Sequence, residues 1–188
     1  MSTPASRRDG VALDQEVFAG DFSLRRVDPD QDLQLVHSWM NDPEVARFWK
    51  MPWPLAEIAS YLHRQDTSGH STPYLGLLNG VPMSYWEVYC AELDPLAQYY
   101  AAGEHDVGLH MLLGPAECRG RKLAVDLIAA VSTRLLSRDP RTRVVAEPDV
   151  ENTRVIRILE GLGWRRAADL DLPTKRAALM ILDRDQTR

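Results

Sequence analysis

The segment from Asp106 to Ala124 most constrains the fold, because it passes from a strand pattern to a helix pattern through a short basic loop. Its first half alternates apolar residues with polar or small ones, which is typical of a half-buried strand. The apolar face of this strand consists of Val107, Leu109, Met111 and Leu113. Apolar residues then recur at helical spacing at Leu123, Leu127, Ile128, Val131 and Leu135. The sequence therefore predicts a strand, a loop and a helix in direct succession.

The loop between this strand and helix is predicted to bind an anion. The first backbone N–H groups of a helix have no partner within the helix, and the helix dipole is positive at that end. Phosphate oxygens can therefore be bound by the main chain alone. Arg119, Arg121 and Lys122 add full positive charges. We expect a phosphate-bearing ligand at this loop.

Composition limits the class of protein. The 188 residues are 45% hydrophobic and 26% charged, which is typical of a globular chain. Residues 1–20 are polar and aperiodic and predict a flexible N-terminal arm, so residues 21–188 are expected to form a single domain. The net charge of -5 argues against a nucleic-acid partner. No apolar run in the sequence approaches the about 20 residues that a membrane span needs, and the N-terminus lacks the apolar core of a signal peptide. We therefore expect a cytoplasmic protein without a membrane partner.

Patterns before and after the central segment predict a mixed sheet. Residues 22–27 alternate as a strand, and short helices are expected between residues 30 and 65. Asn79-Gly80 joins two apolar segments, which is the strongest local signal for a β-hairpin. We expect a strand at 143–147, a helix at 151–162 and a closing strand pair at 164–168 and 177–182.

Two side chains are candidates for proton transfer. His110 points away from the apolar face of its strand, and the ordinary pKa of histidine is near 6.5. Glu147 ends the next predicted strand, just before Pro148. A structural histidine bonded to a carbonyl is the alternative for His110. Glu104, His105 and Asp106 are adjacent on a strand and point to opposite faces, so we expect no metal.

The basic loop resembles the acyl-CoA pyrophosphate loop of the GNAT acetyltransferase superfamily, whose pattern is Gln or Arg, two residues, Gly, one residue, then Gly or Ala. Arg119 and Ala124 fit this pattern, whereas Lys122 stands where the middle glycine is expected. The resemblance covers about residues 22–183. It implies the GNAT fold, of the α/β (α+β) class: a mixed, mostly antiparallel central sheet of about seven strands flanked by helices, with splayed parallel strands four and five.

In that fold pantetheine pairs with the backbone of the fourth strand, here residues 106–113, while residues 143–147 form the fifth strand. The resemblance implies acyl-CoA, as acetyl-CoA or succinyl-CoA, as co-substrate. The cofactor-binding residues that it implies are Met111, Leu112, Leu113, Arg119, Gly120, Arg121, Lys122, Leu123, Ala124 and Asn152.

Five further motifs are similar to those of the siderophore N-acyltransferases of the aerobactin, mycobactin and desferrioxamine pathways. They are Asn-Asp-Pro-Glu-Val before Phe48-Trp49, then the segments 85–89, 94–100, 106–110 and 147–152. This family acylates the hydroxylamine nitrogen of N6-hydroxylysine or N-hydroxycadaverine to give a hydroxamate. The resemblance implies that His110, as general base, and Glu147 are the catalytic pair.

The acceptor is expected to contact Trp49, Tyr85, Glu87 and Asp149. Each has an alternative: the aromatic residues can be core residues, Glu87 a solvated surface carboxylate, and Asp149 a cap of the following helix. The partners expected are a small-molecule hydroxylamine and acyl-CoA, with the chain a monomer or homodimer. An aminoglycoside 6'-N-acetyltransferase is the nearest alternative, and a non-catalytic CoA-binding module is a second.

Overall fold

The computed structural model describes residues 13, 17–18, 21–120 and 122–184. A single sheet of eight strands forms its centre, in the order β1-β2-β3-β4-β5-β6-β8-β7. The strands are β1 (Val17–Phe18), β2 (Phe22–Arg26), β3 (Ser71–Leu78), β4 (Val81–Cys90), β5 (Asp106–Leu113), β6 (Arg143–Ala146), β7 (Arg165–Asp171) and β8 (Arg176–Leu182). Neighbours are antiparallel except β5 and β6, which are parallel. The predicted mixed, mostly antiparallel sheet is confirmed, and the two-residue β1 adds one strand to the expected seven.

Helices cover both faces of this sheet. They are α1 (Leu33–Met40), α2 (Pro43–Trp49), α3 (Leu55–Thr67), α4 (Leu123–Arg138) and α5 (Thr153–Gly161). On one face, Val36 of α1 and Ile58 of α3 pack with Leu112 of β5. On the other, Leu127 of α4 packs with Leu109 of β5. The alternation predicted for β5 thus faces two different cores.

Local sequence signals set several of the element ends. Asn79 and Gly80 have φ of 50° and 76°, as the predicted hairpin between β3 and β4 requires. Pro43 begins α2, and the Asp42 carboxylate accepts from the Glu44 backbone N–H at 2.9 Å. These ends are fixed by turn and cap chemistry within a few residues.

The parallel strands β5 and β6 separate after a short paired region. Their register runs from Asp106 opposite Arg143 to Gly108 opposite Val145, whereas β5 continues to Leu113. This is the splay that the sequence resemblance implied. It opens a gap beside the second half of β5, where His110 lies.

Three residues of the predicted N-terminal arm are described, and they belong to the folded domain. Leu13 is buried and its backbone N–H donates to the Tyr74 hydroxyl at 2.8 Å. Val17 and Phe18 pair with β2. The other arm residues, 1–12, 14–16 and 19–20, lie outside the described residues, as do Arg121 and residues 185–188. Within the described ranges, no helix is both long and apolar enough to span a membrane.

Candidate active site

His110 lies between two buried carboxylates. Glu87 is its direct cross-strand partner in β4, and the Nδ1 to Glu87 Oε2 distance is 3.0 Å. Glu147, which follows β6, approaches the other ring nitrogen, with 2.5 Å between Nε2 and Oε1. Glu87 and Glu147 are 4% and 7% exposed. The predicted pair is therefore brought together, and Glu87 extends it to a triad.

This arrangement keeps the imidazole protonated. Burial by itself lowers the pKa of His110, but the charge of Glu147 and the hydrogen bonds to Glu147 and Glu87 raise it to about 10. Burial raises the pKa of Glu147, yet the charge and hydrogen bond of His110 outweigh it and lower that pKa to about 2. Near neutral pH the pair is an imidazolium and a carboxylate. The neutral imidazole expected from an ordinary pKa of 6.5 is not the resting form.

Tyrosine hydroxyls hold the two carboxylates in place. Tyr61 and Tyr85 both donate to Glu87 Oε1, the latter at 2.9 Å. Tyr89 donates to Glu147 Oε2 at 3.1 Å. Burial and the nearby carboxylates raise the pKa of each tyrosine well above its ordinary value, so all three remain donors.

Two of these residues change the sequence interpretation. Tyr85 was expected to contact the acceptor, but it is fully buried and is absent from the cavity lining, because its hydroxyl is directed at Glu87. It is a support for Glu87. Tyr89 was not predicted as a site residue, although it shares the strand face of Glu87 at a spacing of two.

Gly108 explains the Gly-Leu-His sequence of β5. It is the cross-strand partner of Tyr89, and a Cβ at this position would lie 2.0 Å from the tyrosine ring. Only glycine leaves room for the Tyr89 ring to pass over β5 toward Glu147.

A cavity of about 590 Å³ leads from the basic loop to the triad through the gap between β5 and β6. Of the predicted cofactor residues, the lining includes Met111, Leu112, Leu113, Arg119, Gly120, Ala124 and Asn152. Lys122 and Leu123 do not line it, and Lys122 is exposed at the start of α4. The volume of the cavity lies within the range of small-molecule and cofactor sites.

The loop itself suits a phosphate ligand. Gly120 has a left-handed φ of 80°, and a Cβ there would meet only Arg154, at 3.8 Å. The Val125 N–H donates the first backbone hydrogen bond of α4, to the Lys122 carbonyl. The N–H groups at the start of α4, before Val125, therefore take no part in the hydrogen-bond ladder of the helix. Backbone donors and open space therefore coincide at this end of the cavity.

The Arg119 guanidinium is already paired within the protein, which the sequence did not indicate. Its Nη1 lies 2.9 Å from Asp42 and 3.2 Å from Glu44 of the α2 region. Its Nε donates to the Leu113 carbonyl at 3.2 Å, and Nη2 donates to the Gly114 carbonyl. Two carboxylates thus offset its charge, and the side chain ties the loop to α2.

Trp49, Glu87 and Asp149, which the sequence predicts to contact the acceptor, all line the cavity. The Trp49 ring meets His110 edge-on, with 6.0 Å between centroids. Asp149 accepts from the Glu151 backbone N–H at 2.9 Å and lies 3.5 Å from Lys50 Nζ.

Asn152, and not Asp149, is the residue that caps α5. Its side-chain oxygen accepts from the Val155 N–H at 3.4 Å. Asn152 also lines the cavity, so the cap and the site share this residue.

Lys175 is a site residue that sequence reasoning missed. It lies between β7 and β8, lines the cavity, and its Nζ is 3.7 Å from Glu147 Oε1. No spacing rule joins it to Glu147, because the chain folds back over many residues before the two meet.

Comparison with known proteins agrees with this geometry. The acetyltransferase (GNAT) domain family matches residues 28–172. A crystal structure of an uncharacterized protein from Bacillus halodurans aligns with a TM-score of 0.83 and 36% identity, covering 88% of this chain and 86% of that one. The aminoglycoside acetyltransferase AAC(6')-Ib, in complex with paromomycin and acetyl-CoA, aligns with a TM-score of 0.76 and 25% identity, covering 88% and 95%. The chain belongs to the acetyltransferase (GNAT) family, whose members transfer acyl groups, as its motifs predicted.

Two curated relatives are more specific. The N(6)-hydroxylysine O-acetyltransferase of Escherichia coli is 37% identical over 164 residues, which are 87% of this chain and 52% of that protein. The lysine N-acyltransferase MbtK of Mycobacterium sp. (strain MCS) is 34% identical over 169 residues, 89% of this chain and 69% of that protein. This chain spans about half the length of the first and about two thirds of the second. The expected resemblance to lysine and hydroxylysine acyltransferases is confirmed.

Proposed function

We propose that this chain is an acyl-CoA-dependent N-acyltransferase that acylates the hydroxylamine nitrogen of an N-hydroxylated lysine or diamine, giving a hydroxamate for siderophore biosynthesis. The substrates proposed are N6-hydroxylysine or N-hydroxycadaverine with acetyl-CoA or succinyl-CoA, in the cytoplasm where acyl-CoA is made. The observation that carries the proposal is the position of the His110 ring between the Glu87 and Glu147 carboxylates, in a cavity that continues to a phosphate-suited loop. The names of the two relatives support the acceptor class.

The acceptor nitrogen attacks the thioester directly. A hydroxylamine is less basic than an alkylamine, so it reaches the site neutral near pH 7 and with its lone pair free. Its N–H becomes strongly acidic as the tetrahedral intermediate forms. The Glu147 carboxylate is ionised near pH 7 and can then accept this proton.

The His110–Glu147 pair balances both proton transfers in this scheme. Glu147 accepts the proton that leaves the nitrogen, and the His110 imidazolium gives a proton to the departing CoA thiolate. The proton on Glu147 then moves across the 2.5 Å hydrogen bond to Nε2, which restores the ion pair. In this scheme Glu147 takes the base step that the sequence resemblance assigned to His110, and His110 acts as the acid.

A thiol-release assay tests this function. We expect turnover of acetyl-CoA or succinyl-CoA with N6-hydroxylysine or N-hydroxycadaverine, and at least tenfold lower kcat/KM with lysine and cadaverine at pH 7. Mass spectrometry should identify the product as a hydroxamate. Higher kcat/KM with the unhydroxylated amines would refute the proposed acceptor.

An aminoglycoside 6'-N-acetyltransferase is the second candidate, because AAC(6')-Ib shares the fold and binds acetyl-CoA in its complex. The same assay with kanamycin and paromomycin separates the two. Calorimetry with CoA tests the non-catalytic alternative: CoA binding together with an absence of thiol release from every acceptor would favour it.

A further inference from the structure

The charge at the phosphate end of the cavity is not supplied by Arg119. That guanidinium faces Asp42 and Glu44, and the pKa of Asp42 is held below its ordinary value, first by its hydrogen bond with Arg119. An arginine shared by two carboxylates brings no net positive charge to the loop. Lys122 is exposed and does not line the cavity.

Arg154 is an arginine that lines the phosphate end of the cavity. It is the second residue of α5, it is exposed, and it lines the cavity across from Gly120. Its Nη2 lies 3.8 Å from where a Cβ of Gly120 would be. No hydrogen bond or ion pair joins its side chain to another residue in the part of the chain that the structure describes.

Helix stability does not account for this arginine. A cation in the first turn of a helix opposes the helix dipole, which is positive at that end. Among the residues that the structure describes, none forms a hydrogen bond or ion pair with Arg154 that would offset this interaction. An anion held between Arg154 and the start of α4 would supply the missing counter-charge.

We propose that Arg154 is a cation that binds a phosphate group of acyl-CoA, closing the phosphate subsite from the α5 side while backbone N–H groups of α4 bind from the other side. The inference rests on the acyl-CoA dependence proposed above. Gly120 permits the approach because it places no side chain between the guanidinium and the loop. An arginine can hold phosphate oxygens in a bidentate manner, which sets the orientation of the ligand as well as its affinity.

Calorimetry with CoA tests this role without turnover. Arg154→Gln should raise the Kd for CoA by about tenfold to a hundredfold, the loss typical of one charge-assisted interaction. Arg154→Lys should recover part of the affinity. Arg157→Gln is the matched control, since Arg157 is an exposed arginine of the same helix outside the cavity lining, and its Kd should be unchanged. Thermal unfolding of Arg154→Gln should occur no lower than that of the wild type.

Truncated ligands then identify the group bound. Acyl-pantetheine, which lacks the phosphates, should react equally well with wild type and Arg154→Gln. If Arg154→Gln also binds 3'-dephospho-CoA more weakly than wild type does, Arg154 contacts the diphosphate. If the two proteins bind 3'-dephospho-CoA equally, Arg154 contacts the 3'-phosphate. Equal losses with CoA and acyl-pantetheine, or no loss with CoA, would overturn the inference.

The outcomes separate this inference from the proposed function. If wild type and Arg154→Gln bind CoA equally, the inference fails while hydroxylamine acylation remains open to its own assay. If the variant loses affinity for CoA but no hydroxylamine is acylated, the proposed acceptor fails and the phosphate subsite stands.

Discussion

Glu87 and His110 are directly opposed residues of β4 and β5, and the carboxylate Oε2 lies 3.0 Å from the imidazole Nδ1. The position of the imidazole is therefore set by the register of two central strands. Tyr61 of α3 and Tyr85 of β4 fix the carboxylate in turn. A site built on paired strands holds its geometry more tightly than one built on loops.

Replacing Glu147 with glutamine should lower the pKa of His110 from about 10 toward its ordinary value. The amide keeps the shape of the side chain but removes the charge that raises the pKa. Titration of the His110 ring by NMR measures this directly. Asp149→Asn is the control, because Asp149 carries a similar charge in the same cavity but bonds Glu151 and Lys50 instead of His110. An unchanged His110 pKa in Glu147→Gln would contradict the ion-pair assignment.

The ion pair also predicts how stability depends on pH. Glu147 has a pKa lowered from 4.5 to about 2, so its contribution is fully present above 4.5 and is lost as the pH falls through 2. His110 has a pKa raised from 6.5 to about 10, so its contribution is fully present below 6.5 and is lost as the pH rises through 10. The unfolding free energies of wild type and Glu147→Gln should thus differ most between pH 4.5 and 6.5. Urea unfolding at a series of pH values measures this, and a difference independent of pH would contradict it.

Replacing His110 with glutamine should reduce kcat by about 10² to 10⁴, the usual contribution of a positioned acid or base. Glutamine removes the positive charge but keeps an amide that can hydrogen-bond the two buried carboxylates of Glu87 and Glu147, whereas alanine would remove that donor as well. The Kd for CoA should stay within about twofold of wild type, since the cavity also extends to the distant phosphate loop. Steady-state kinetics and calorimetry together check this, and unimpaired turnover would exclude the role.

The sequence predicted those parts of the fold that local patterns determine. Alternation in residues 106–113 gave β5 and the face of His110, and Asn79-Gly80 gave the hairpin because left-handed φ values select such residues. The partners of these side chains depend on register and could not be read locally. Tyr85 and Glu87 share a face, but only packing against α3 decides that Tyr85 ends buried behind Glu87.

Long-range contacts explain the remaining differences. Arg119 matched the expected loop pattern, yet its guanidinium is taken by residues 77 and 75 positions earlier in the chain. Lys175 and Arg154 reach the cavity from other elements and carried no motif. Charge in a sequence identifies a possible ligand for an anion, but the pairing of charges in the fold decides which ones remain available.

Replacing Glu87 with glutamine separates positioning from proton transfer. Glu87 bonds the ring nitrogen opposite Glu147, so its loss should lower the pKa of His110 and reduce kcat by at least tenfold while KM for acyl-CoA changes little. Tyr85→Phe is the companion variant, because it removes one of the donors to Glu87 and leaves the carboxylate in place. It should give a smaller change in the same direction. A lower kcat in Glu87→Gln with an unaltered His110 titration would indicate a merely structural role.

Gly108→Ala should destabilise the protein and impair the site at once. The added methyl group would lie 2.0 Å from the Tyr89 ring, so the ring or the strand must move, at a cost of about 1–3 kcal/mol typical of overpacking. Displacement of Tyr89 removes its hydrogen bond to Glu147, which helps hold that carboxylate against His110. Gly161→Ala is the matched control: it lies in α5 with nothing within 4 Å of its Cβ position, and alanine there should be neutral or stabilising. Urea unfolding and kcat for both variants check the prediction. Equal unfolding free energies of Gly108→Ala and wild type would contradict the steric conflict with the Tyr89 ring.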